Sequence, residues 1–123
     1  MSRPINKNLT DHELKIMKLF WDHDRASVRD ILNMLDPPPA YTSLQTAVNN
    51  LVKKNYLKKD NSEKEHRFTA RIDRLSYQNS VAENLIEDVY EGKAFDLALN
   101  LIENQKLSSD EIERIRQLLG ELD

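Results

Sequence analysis

Short uncharged hydrogen-bonding side chains fill one face of a predicted helix that opens at Thr42. The residues of its opposite, apolar face are Leu44, Ala47, Val48, Leu51 and Val52. Amide side chains can pair with the N6/N7 edge of adenine, and hydroxyls can bond base edges or phosphates. Asn, Ser and Thr are weaker helix formers than Glu and Lys, so helix stability does not account for their presence on this face. The face favours a helix that reads the major groove of DNA. A solvated helix face is the alternative. The predicted base-reading residues are Thr42, Ser43, Gln45, Thr46 and Asn49, and Asn50 on the same face is a further predicted DNA contact.

A group of basic residues follows, around a predicted β-hairpin. They are Lys53, Lys54, Lys58, Lys59, Lys64 and Arg67, and His66 lies among them. In a wing beside a reading helix, such side chains contact the sugar-phosphate backbone, which supplies affinity without reading the base sequence. A solvated charged surface is the alternative. The residues that we predict to contact phosphates are Lys53, Lys58, Lys59, Lys64 and Arg67, with His66 as a further candidate.

Residues for metal, redox or hydrolytic chemistry are sparse. The sequence has no cysteine, which excludes disulfides and cysteine-ligated zinc or copper. The three histidines, His12, His23 and His66, fall on different predicted elements and share no ligand spacing. The only glycines, Gly92 and Gly120, cannot build a glycine-rich phosphate loop, and no nucleophile stands beside a base. We therefore expect no metal, no small-molecule cofactor and no enzyme activity.

Two helices are predicted to precede the reading helix. Thr10 and Glu13 fit a capping box, in which each side chain bonds a backbone N–H that the helix start leaves unpaired. A second helix begins at Ser27, with Asp30 three residues on. Three prolines at 37–39 end it, because proline lacks the N–H and restricts the residue before it.

The third helix and a hairpin complete the predicted first domain. Gln45 stands at the capping-box position of a helix that opens at Thr42. Strand-forming segments at 56–60 and 66–69 flank a turn-rich segment, which predicts a short β-hairpin. Three helices followed by a basic hairpin indicate the winged variant of helix-turn-helix.

From Ser76 to the end, the sequence pattern predicts helices. Gly92 suits the position after a helix end, and Ser108 and Glu111 fit another capping box. Three short helices have too little volume to bury their apolar residues alone, so we expect a homodimer interface. An intramolecular helical cap on the first domain is the alternative. The predicted interface residues are Tyr77, Val81, Leu85, Val89, Phe95, Leu97, Leu101, Ile102, Ile115 and Leu119.

The net charge also differs between the predicted first domain and the predicted helical segment that follows it. Residues 1–74 carry 14 Lys/Arg and 10 Asp/Glu, a net charge of +4, whereas residues 75–123 carry 4 and 11, a net charge of -7. A polyanion would attract the first part and repel the second. We thus predict a mostly α fold with a small β-hairpin: a winged helix-turn-helix DNA-binding domain over residues 1–74 and a C-terminal three-helix dimerisation segment over residues 75–123.

Neither a membrane span nor a secretory signal is expected. No apolar run approaches the roughly 18 residues that a span needs. Residues 1–8 lack the apolar stretch of a signal peptide. Together with the absence of cysteine, these features predict a cytoplasmic protein.

Four segments, in their order and spacing, resemble the penicillinase repressor family of transcription repressors, the BlaI/MecI type. They are 14–21 in the first helix, 40–51 around the reading helix, the Lys-Lys continuation at 53–57 and 107–112 near the end. The resemblance covers nearly the whole chain. It implies a winged-helix domain, a helical dimerisation domain and a homodimer that binds a palindromic operator in double-stranded DNA.

For antibiotic-resistance members, the resemblance also implies inactivation by proteolysis: a membrane sensor protease perceives a β-lactam and the repressor is cut between Asn and Phe. The matching pair here is Asn100 and Leu101, so Leu replaces the family's Phe. Two further departures are Asn50, where many members have Arg, and Asn55, where Gly is usual. Asn tolerates the left-handed backbone conformation that such a position requires. The copper-responsive branch of the family carries C-terminal cysteines. This chain has none, so the resemblance does not imply copper sensing here.

Two other functions stay open at this point. One is a winged-helix interaction module whose third helix contacts a protein. The other is a repressor of the same family that answers an unrelated signal without proteolysis. Binding to random DNA separates the first from a repressor, because phosphate contacts make affinity fall steeply with salt.

Overall fold

The computed structural model describes residues 9–122, and the chain divides into two compact units after Val81. The elements in chain order are α1 (Asp11–Asp22), α2 (Val28–Met34), α3 (Tyr41–Lys53), β1 (Leu57–Asp60), β2 (Arg67–Ala70), α4 (Arg74–Asp88), α5 (Ala94–Glu103) and α6 (Ser109–Glu121). The division falls inside α4, later than the boundary predicted after residue 74. Within the described range, no helix combines the length and apolar character needed to span a membrane. Residues 1–8, where the sequence predicted no signal peptide, lie outside that range.

Local capping bonds begin α1 and α2, as the sequence predicts. The hydroxyl of Thr10 accepts from the backbone N–H of Glu13 at 3.0 Å, and the Glu13 carboxylate accepts from the N–H of Thr10 at 2.9 Å. Ser27 and Asp30 form the same reciprocal pair at α2, with both distances 3.0 Å. Each pair satisfies two N–H groups that a helix start leaves unpaired.

α3 begins earlier than predicted. Tyr41 is its first residue, Ala40 is the N-cap, and no side chain caps this end. The expected capping box of Thr42 and Gln45 is therefore wrong, since Thr42 already lies in the first helical turn. There its carbonyl oxygen accepts a hydrogen bond from the Thr46 hydroxyl at 2.9 Å. The reason lies in Ala40, whose extended backbone (φ -64°, ψ 139°) continues the proline segment and lets the helix begin at the next residue.

The apolar side of α3 anchors the first unit. Leu44, Val48 and Leu51 are completely buried, together with residues of α1, α2 and the hairpin. Burying one such side chain stabilises the fold by about 1.5–3 kcal/mol. Because this side is fixed in the core, the polar side of α3 has to face outward.

β1, β2 and the turn between them form an antiparallel hairpin, hereafter the wing. Its strands are paired so that Lys59 lies opposite Phe68. Ala26 extends the pairing, since its N–H donates to the carbonyl of Phe68 at 3.1 Å and its carbonyl accepts from the N–H of Phe68 at 2.8 Å. Directly paired residues share one face of a sheet and neighbours along a strand alternate. Lys59 therefore lies on the face of the buried Phe68, and Lys58 lies on the opposite face.

Left-handed backbone conformations follow α3 and α4, as the sequence predicts. Asn55 has φ +67°, a value that Asn adopts at lower cost than most residues. The N–H of Tyr56 then donates to the carbonyl of Leu51 at 2.9 Å, which satisfies the helix end. Gly92 has φ +83° after α4, and its N–H donates to the carbonyl of Ile86 at 2.8 Å.

Tyr77, near the start of α4, packs into the core of the first unit. Its ring centroid lies 5.5 Å from that of Trp21 and 6.1 Å from that of Tyr56, and the residue is 8% exposed. The core of the first unit therefore accounts for the burial of Tyr77, which the sequence analysis predicted in a dimer interface. A stripe of every fourth residue rotates about 40° per step around a helix of 3.6 residues per turn, so its two ends face different directions. The later residues of this stripe stay exposed: Val81, Leu85 and Val89.

The second unit contains the end of α4 with α5 and α6. The predicted capping box at α6 is confirmed, with bonds of 2.8 and 3.1 Å between Ser108 and Glu111. Neither α5 nor α6 has a buried residue, and Phe95 and Leu119 are 72% and 59% exposed. Apolar helix faces of this kind require another surface to cover them.

Candidate nucleic-acid interface

Every predicted base-reading residue lies on the exposed side of α3. These residues are Thr42, Ser43, Gln45, Thr46 and Asn49, and the predicted DNA contacts Asn50 and Lys53 follow on the same side. Thr46 donates its hydroxyl proton to the carbonyl of Thr42, so its oxygen remains available as an acceptor. α3 thus presents a largely uncharged hydrogen-bonding surface.

A groove of about 250 Å³ lies between α3 and the wing, and we call it the α3–wing groove. Gln45 and Asn49 line it from α3. Lys59, Lys64 and His66 line it from the wing. The structure therefore brings together five of the side chains that the sequence singled out.

Other predicted contact residues lie outside the α3–wing groove. They are Thr42, Ser43, Thr46, Asn50 and Lys53 on α3, and Lys58 on the wing. All six are exposed, so they are accessible to a ligand that extends beyond the groove.

Arg67 is held by carboxylates of its own chain, which differs from its predicted role as a phosphate contact. Its guanidinium lies 3.1 Å from Asp30 and 3.2 Å from Glu63, with Glu65 at 3.8 Å. The backbone N–H of Ser27, its hydroxyl and Arg67 together lower the pKa of Asp30 below its ordinary value, against the effect of burial. Arg67 therefore attaches the wing to α2.

Arg25 fixes the turn of the wing. Its guanidinium lies 2.7 Å from Asp60 and 2.6 Å from Glu63. The N–H of Ser62 donates to the Asp60 carboxylate at 2.9 Å. Hydrogen bonds from Ser62, with the Arg25 guanidinium, lower the pKa of Asp60 to about 2. Exposed ion pairs add little stability, so these contacts act mainly by holding the turn in one geometry.

Lys54 lies apart from the other cations around the wing, because it pairs with α1. Its ammonium lies 2.9 and 3.0 Å from the two carboxylate oxygens of Glu13, a residue that is 7% exposed. Burial raises the pKa of Glu13, but the N–H of Thr10 and the ammonium of Lys54 outweigh it, so the pKa lies below its ordinary value. Lys54 thus stabilises the start of α1.

Replacing Glu13 with glutamine is expected to lower the free energy of unfolding by about 1–2 kcal/mol at neutral pH. The amide leaves Lys54 without its counter-charge, and the effect is moderate because the Lys54 side chain is still 33% exposed. Since the folded pKa of Glu13 is lowered, its stabilisation is complete above the ordinary carboxyl pKa and is lost as the pH falls through the folded value.

Urea unfolding at a series of pH values measures this effect. The difference between Glu13→Gln and the unmodified protein should shrink in acid, while Glu83→Gln, on the exposed side of α4, should unfold like the unmodified protein. A difference that stays constant into strong acid would contradict the assigned ionisation.

Two residues that the sequence analysis missed also line the α3–wing groove: Arg29 of α2 and Tyr41 of α3. The guanidinium carbon of Arg29 lies 5.6 Å from the centroid of the Tyr41 ring, a cation–π distance. The sequence contains only a weak signal for them, since Arg29 is the one basic residue of α2 and Tyr41 directly precedes the polar face. The packing of α2 against α3 brings the two together.

The α3–wing groove is positively charged. Arg29, Lys59 and Lys64 line it with Glu65 as the one acidic residue. Cations beside a neutral hydrogen-bonding helix face suit a polyanion that also exposes donors and acceptors, as a nucleic-acid duplex does. Within residues 9–122, no cluster of three or more His, Asp or Glu could hold a metal ion.

Comparison with known proteins identifies related sequences over most of the chain. The family described as penicillinase repressor matches residues 9–121. The chain is 30% identical over 118 residues to the penicillinase repressor of Bacillus licheniformis, covering 92% of this chain and 90% of that protein. It is 25% identical over 114 residues to the methicillin resistance regulatory protein MecI of Staphylococcus aureus (strain N315), covering 91% and 93%.

Solved structures of other proteins have a similar fold. The solution structure of the DNA-binding domain of the repressor BlaI matches with a TM-score of 0.51 and 25% identity, over 57% of this chain and 88% of that one. A mutant of MarR from E. coli, complexed with operator DNA, matches with a TM-score of 0.52 over 94% of this chain and 76% of that one. Its identity is 13%, so that likeness concerns the fold alone. Both matches confirm the predicted mostly helical, winged-helix fold.

Proposed function

Since the chain belongs to the penicillinase repressor family, we propose that it is a DNA-binding transcriptional repressor that acts on an operator. The observation that carries the proposal is the α3–wing groove, where an uncharged hydrogen-bonding helix face lies beside three cations. α3 lies in the major groove and the wing contacts the sugar-phosphate backbone. The family consists of repressors rather than enzymes, so no residue is assigned a catalytic role.

The proposed contacts divide into two kinds. Gln45 and Asn49 read base edges, because amide side chains match the hydrogen-bonding edge of adenine. Lys59 and Lys64 bind phosphates. The exposed residues outside the groove extend the contact along the duplex: Thr42, Ser43, Thr46, Asn50, Lys53 and Lys58.

We further propose that the repressor is a homodimer on a palindromic operator. Support comes from the second unit, where α5 and α6 bury no residue and large apolar side chains are exposed. A twofold pairing covers such a surface and places two α3 helices on half-sites about one DNA turn apart. The proposed interface residues are Val81, Leu85, Val89, Phe95, Leu97, Leu101, Ile102, Ile115 and Leu119.

Release from DNA is proposed to follow a cut between Asn100 and Leu101 by a membrane sensor protease that responds to a β-lactam. The names of the relatives, a penicillinase repressor and a methicillin resistance regulator, support this signal. The carbonyl of Asn100 accepts hydrogen bonds from the N–H and the side-chain amide of Asn104, at 3.0 and 2.8 Å. Because a protease binds extended chain, α5 has to unwind locally first, and within its own protomer this short helix has no buried residue to hold it closed.

Replacing Asn100 with alanine is expected to leave operator affinity intact and to preserve repression during β-lactam exposure. The change removes the residue before the proposed cut and touches nothing in the α3–wing groove. Reporter expression and immunoblotting of the chain measure it, with Asn79→Ala, on the exposed side of α4, as the matched control. Normal induction of the Asn100 variant would show that the cut is elsewhere or that the signal acts without proteolysis.

A salt titration of binding to a random-sequence duplex tests the proposed function. Log affinity should fall with log salt concentration by about 0.9 for each phosphate contacted. Replacing Lys59 and Lys64 together with alanine should reduce the slope by about 1.8 per protomer, whereas Lys15→Ala, on the exposed side of α1, should leave it unchanged. A flat response of the unmodified protein would favour a protein-binding winged-helix module.

A cytoplasmic location is part of this proposal, because a repressor has to reach the operator. The described residues 9–122 include no helix long and apolar enough to cross a membrane. Immunoblotting of fractionated cells tests it, and recovery of the chain in the membrane fraction would contradict it.

A further inference from the structure

Arg29 is a basic residue of the α3–wing groove, and it forms no ion pair with a carboxylate of residues 9–122. Two other arginines near the wing, Arg25 and Arg67, form ion pairs at 2.6–3.2 Å. Among residues 9–122 no acidic side chain pairs with Arg29, which is exposed and lies over the ring of Tyr41. A guanidinium that stacks on a ring by its face keeps the N–H groups at its edge free to donate.

The position of Arg29 fits a phosphate that passes between two DNA grooves. A helix in the major groove and a wing beside it have to straddle the backbone of one strand, because that backbone separates adjacent grooves. In this chain the space between α3 and the wing is about 250 Å³ and includes Arg29 in its lining. That volume is below the roughly 300–1,000 Å³ of typical small-molecule sites, which favours a backbone group over a separate ligand.

We propose that Arg29 binds a backbone phosphate of the DNA between α3 and the wing, and that Tyr41 holds the guanidinium in place for it. The inference rests on the proposed function and adds a residue to it from α2, an element not assigned to DNA contact so far. Guanidinium geometry permits two parallel N–H···O bonds to one phosphate. The ring of Tyr41, whose centroid lies 5.6 Å from the guanidinium carbon, restricts this side chain beside the groove that both residues line.

The same salt titration on a random-sequence duplex, applied to four variants, tests this inference. Arg29→Ala should bind roughly tenfold or more weakly, with the slope reduced by about 0.9 per protomer. Arg29→Lys should keep the slope but lose affinity, because an ammonium is a point charge and fits the phosphate less well. Tyr41→Leu should keep the slope and lose about twofold to fivefold in affinity. Lys18→Ala, which removes a cation from a groove between α1 and α4, should match the unmodified protein.

The outcomes separate this inference from the proposed function. A flat salt response of the unmodified protein overturns both. A normal response with Arg29→Ala at the same slope overturns only the role of Arg29. A loss confined to a palindromic operator duplex, with random-duplex binding unchanged, shows that Arg29 reads a base instead. Circular dichroism checks folding, and if Arg29→Ala unfolds, Arg29→Gln removes the charge with a longer polar side chain and gives the same test.

Discussion

Replacing Phe95 with glutamate is expected to convert the proposed dimer to a monomer and to weaken binding to a palindromic operator by about 10²–10⁴-fold. Phe95 is 72% exposed in the protomer, so a charge there costs the isolated chain little. In the proposed interface the carboxylate would be buried without a partner, which is strongly unfavourable. Once the subunits separate, binding of one half-site no longer raises the local concentration of the second α3.

Sedimentation equilibrium and operator titrations measure these two effects together. Gln117→Glu, which places the same charge on an exposed residue of α6, is the control and should remain dimeric. Affinity of the Phe95 variant for a single half-site should be unchanged, because the first unit is untouched. A Phe95→Glu protein that still sediments as a dimer would exclude α5 from the interface, and a monomeric unmodified protein would contradict the dimer itself.

Replacing Asn49 with alanine is expected to remove most of the preference for the operator over random DNA. A well-placed bidentate amide–base contact discriminates by about 1–3 kcal/mol, and a dimer loses it at both half-sites. The combined loss in specificity is then roughly 30-fold to 10⁴-fold. Asn49 is exposed on α3 and lines the α3–wing groove, so its removal leaves the buried side of the helix intact.

Competition between operator and random duplex gives the specificity ratio directly. Asn33→Ala, on the exposed side of α2, is the matched control and should keep the ratio. The salt slope should be the same for all three proteins, since an amide neutralises no phosphate. Equal weakening on both DNAs, with a reduced slope, would show that Asn49 contacts the backbone and that base reading depends on other residues of α3.

The two variants act on different parts of the mechanism. Phe95→Glu is expected to remove the linkage between half-sites and to preserve each reading surface. Asn49→Ala is expected to preserve the linkage and to remove the discrimination. Mixing the two proteins therefore provides a further check, because neither subunit restores both properties and the mixture should not recover full operator affinity.

Local sequence patterns determined where the first helices of the first unit begin and which side of α3 is buried. Thr10 with Glu13 and Ser27 with Asp30 lie three residues apart, so their capping bonds form whenever the segment is helical. The buried side of α3 follows from apolar spacing alone. The exposed polar side, with Gln45 and Asn49, was predictable for the same reason.

The assignment of individual cations and aromatic residues required the tertiary structure. Lys54 was expected beside the wing, but its partner Glu13 is 41 residues away in the sequence, and Arg67 is 37 residues from Asp30. Tyr77 was placed in an apolar stripe and is instead covered by Trp21. Periodicity reports which residues share a side of one helix, but it carries no information on which distant group lies opposite.

The α3–wing groove shows the same division. The sequence determined its chemistry, since amides on α3 and lysines in the wing were both evident. Only the fold decided which of them converge: Lys59 lines the groove while Lys58 does not, because neighbours along a strand face opposite sides. Arg29 lines the groove for a similar reason: α2 packs against α3, and this packing places Arg29, the one basic residue of α2, beside Tyr41. Such contacts join residues far apart in the chain, and no local pattern records them.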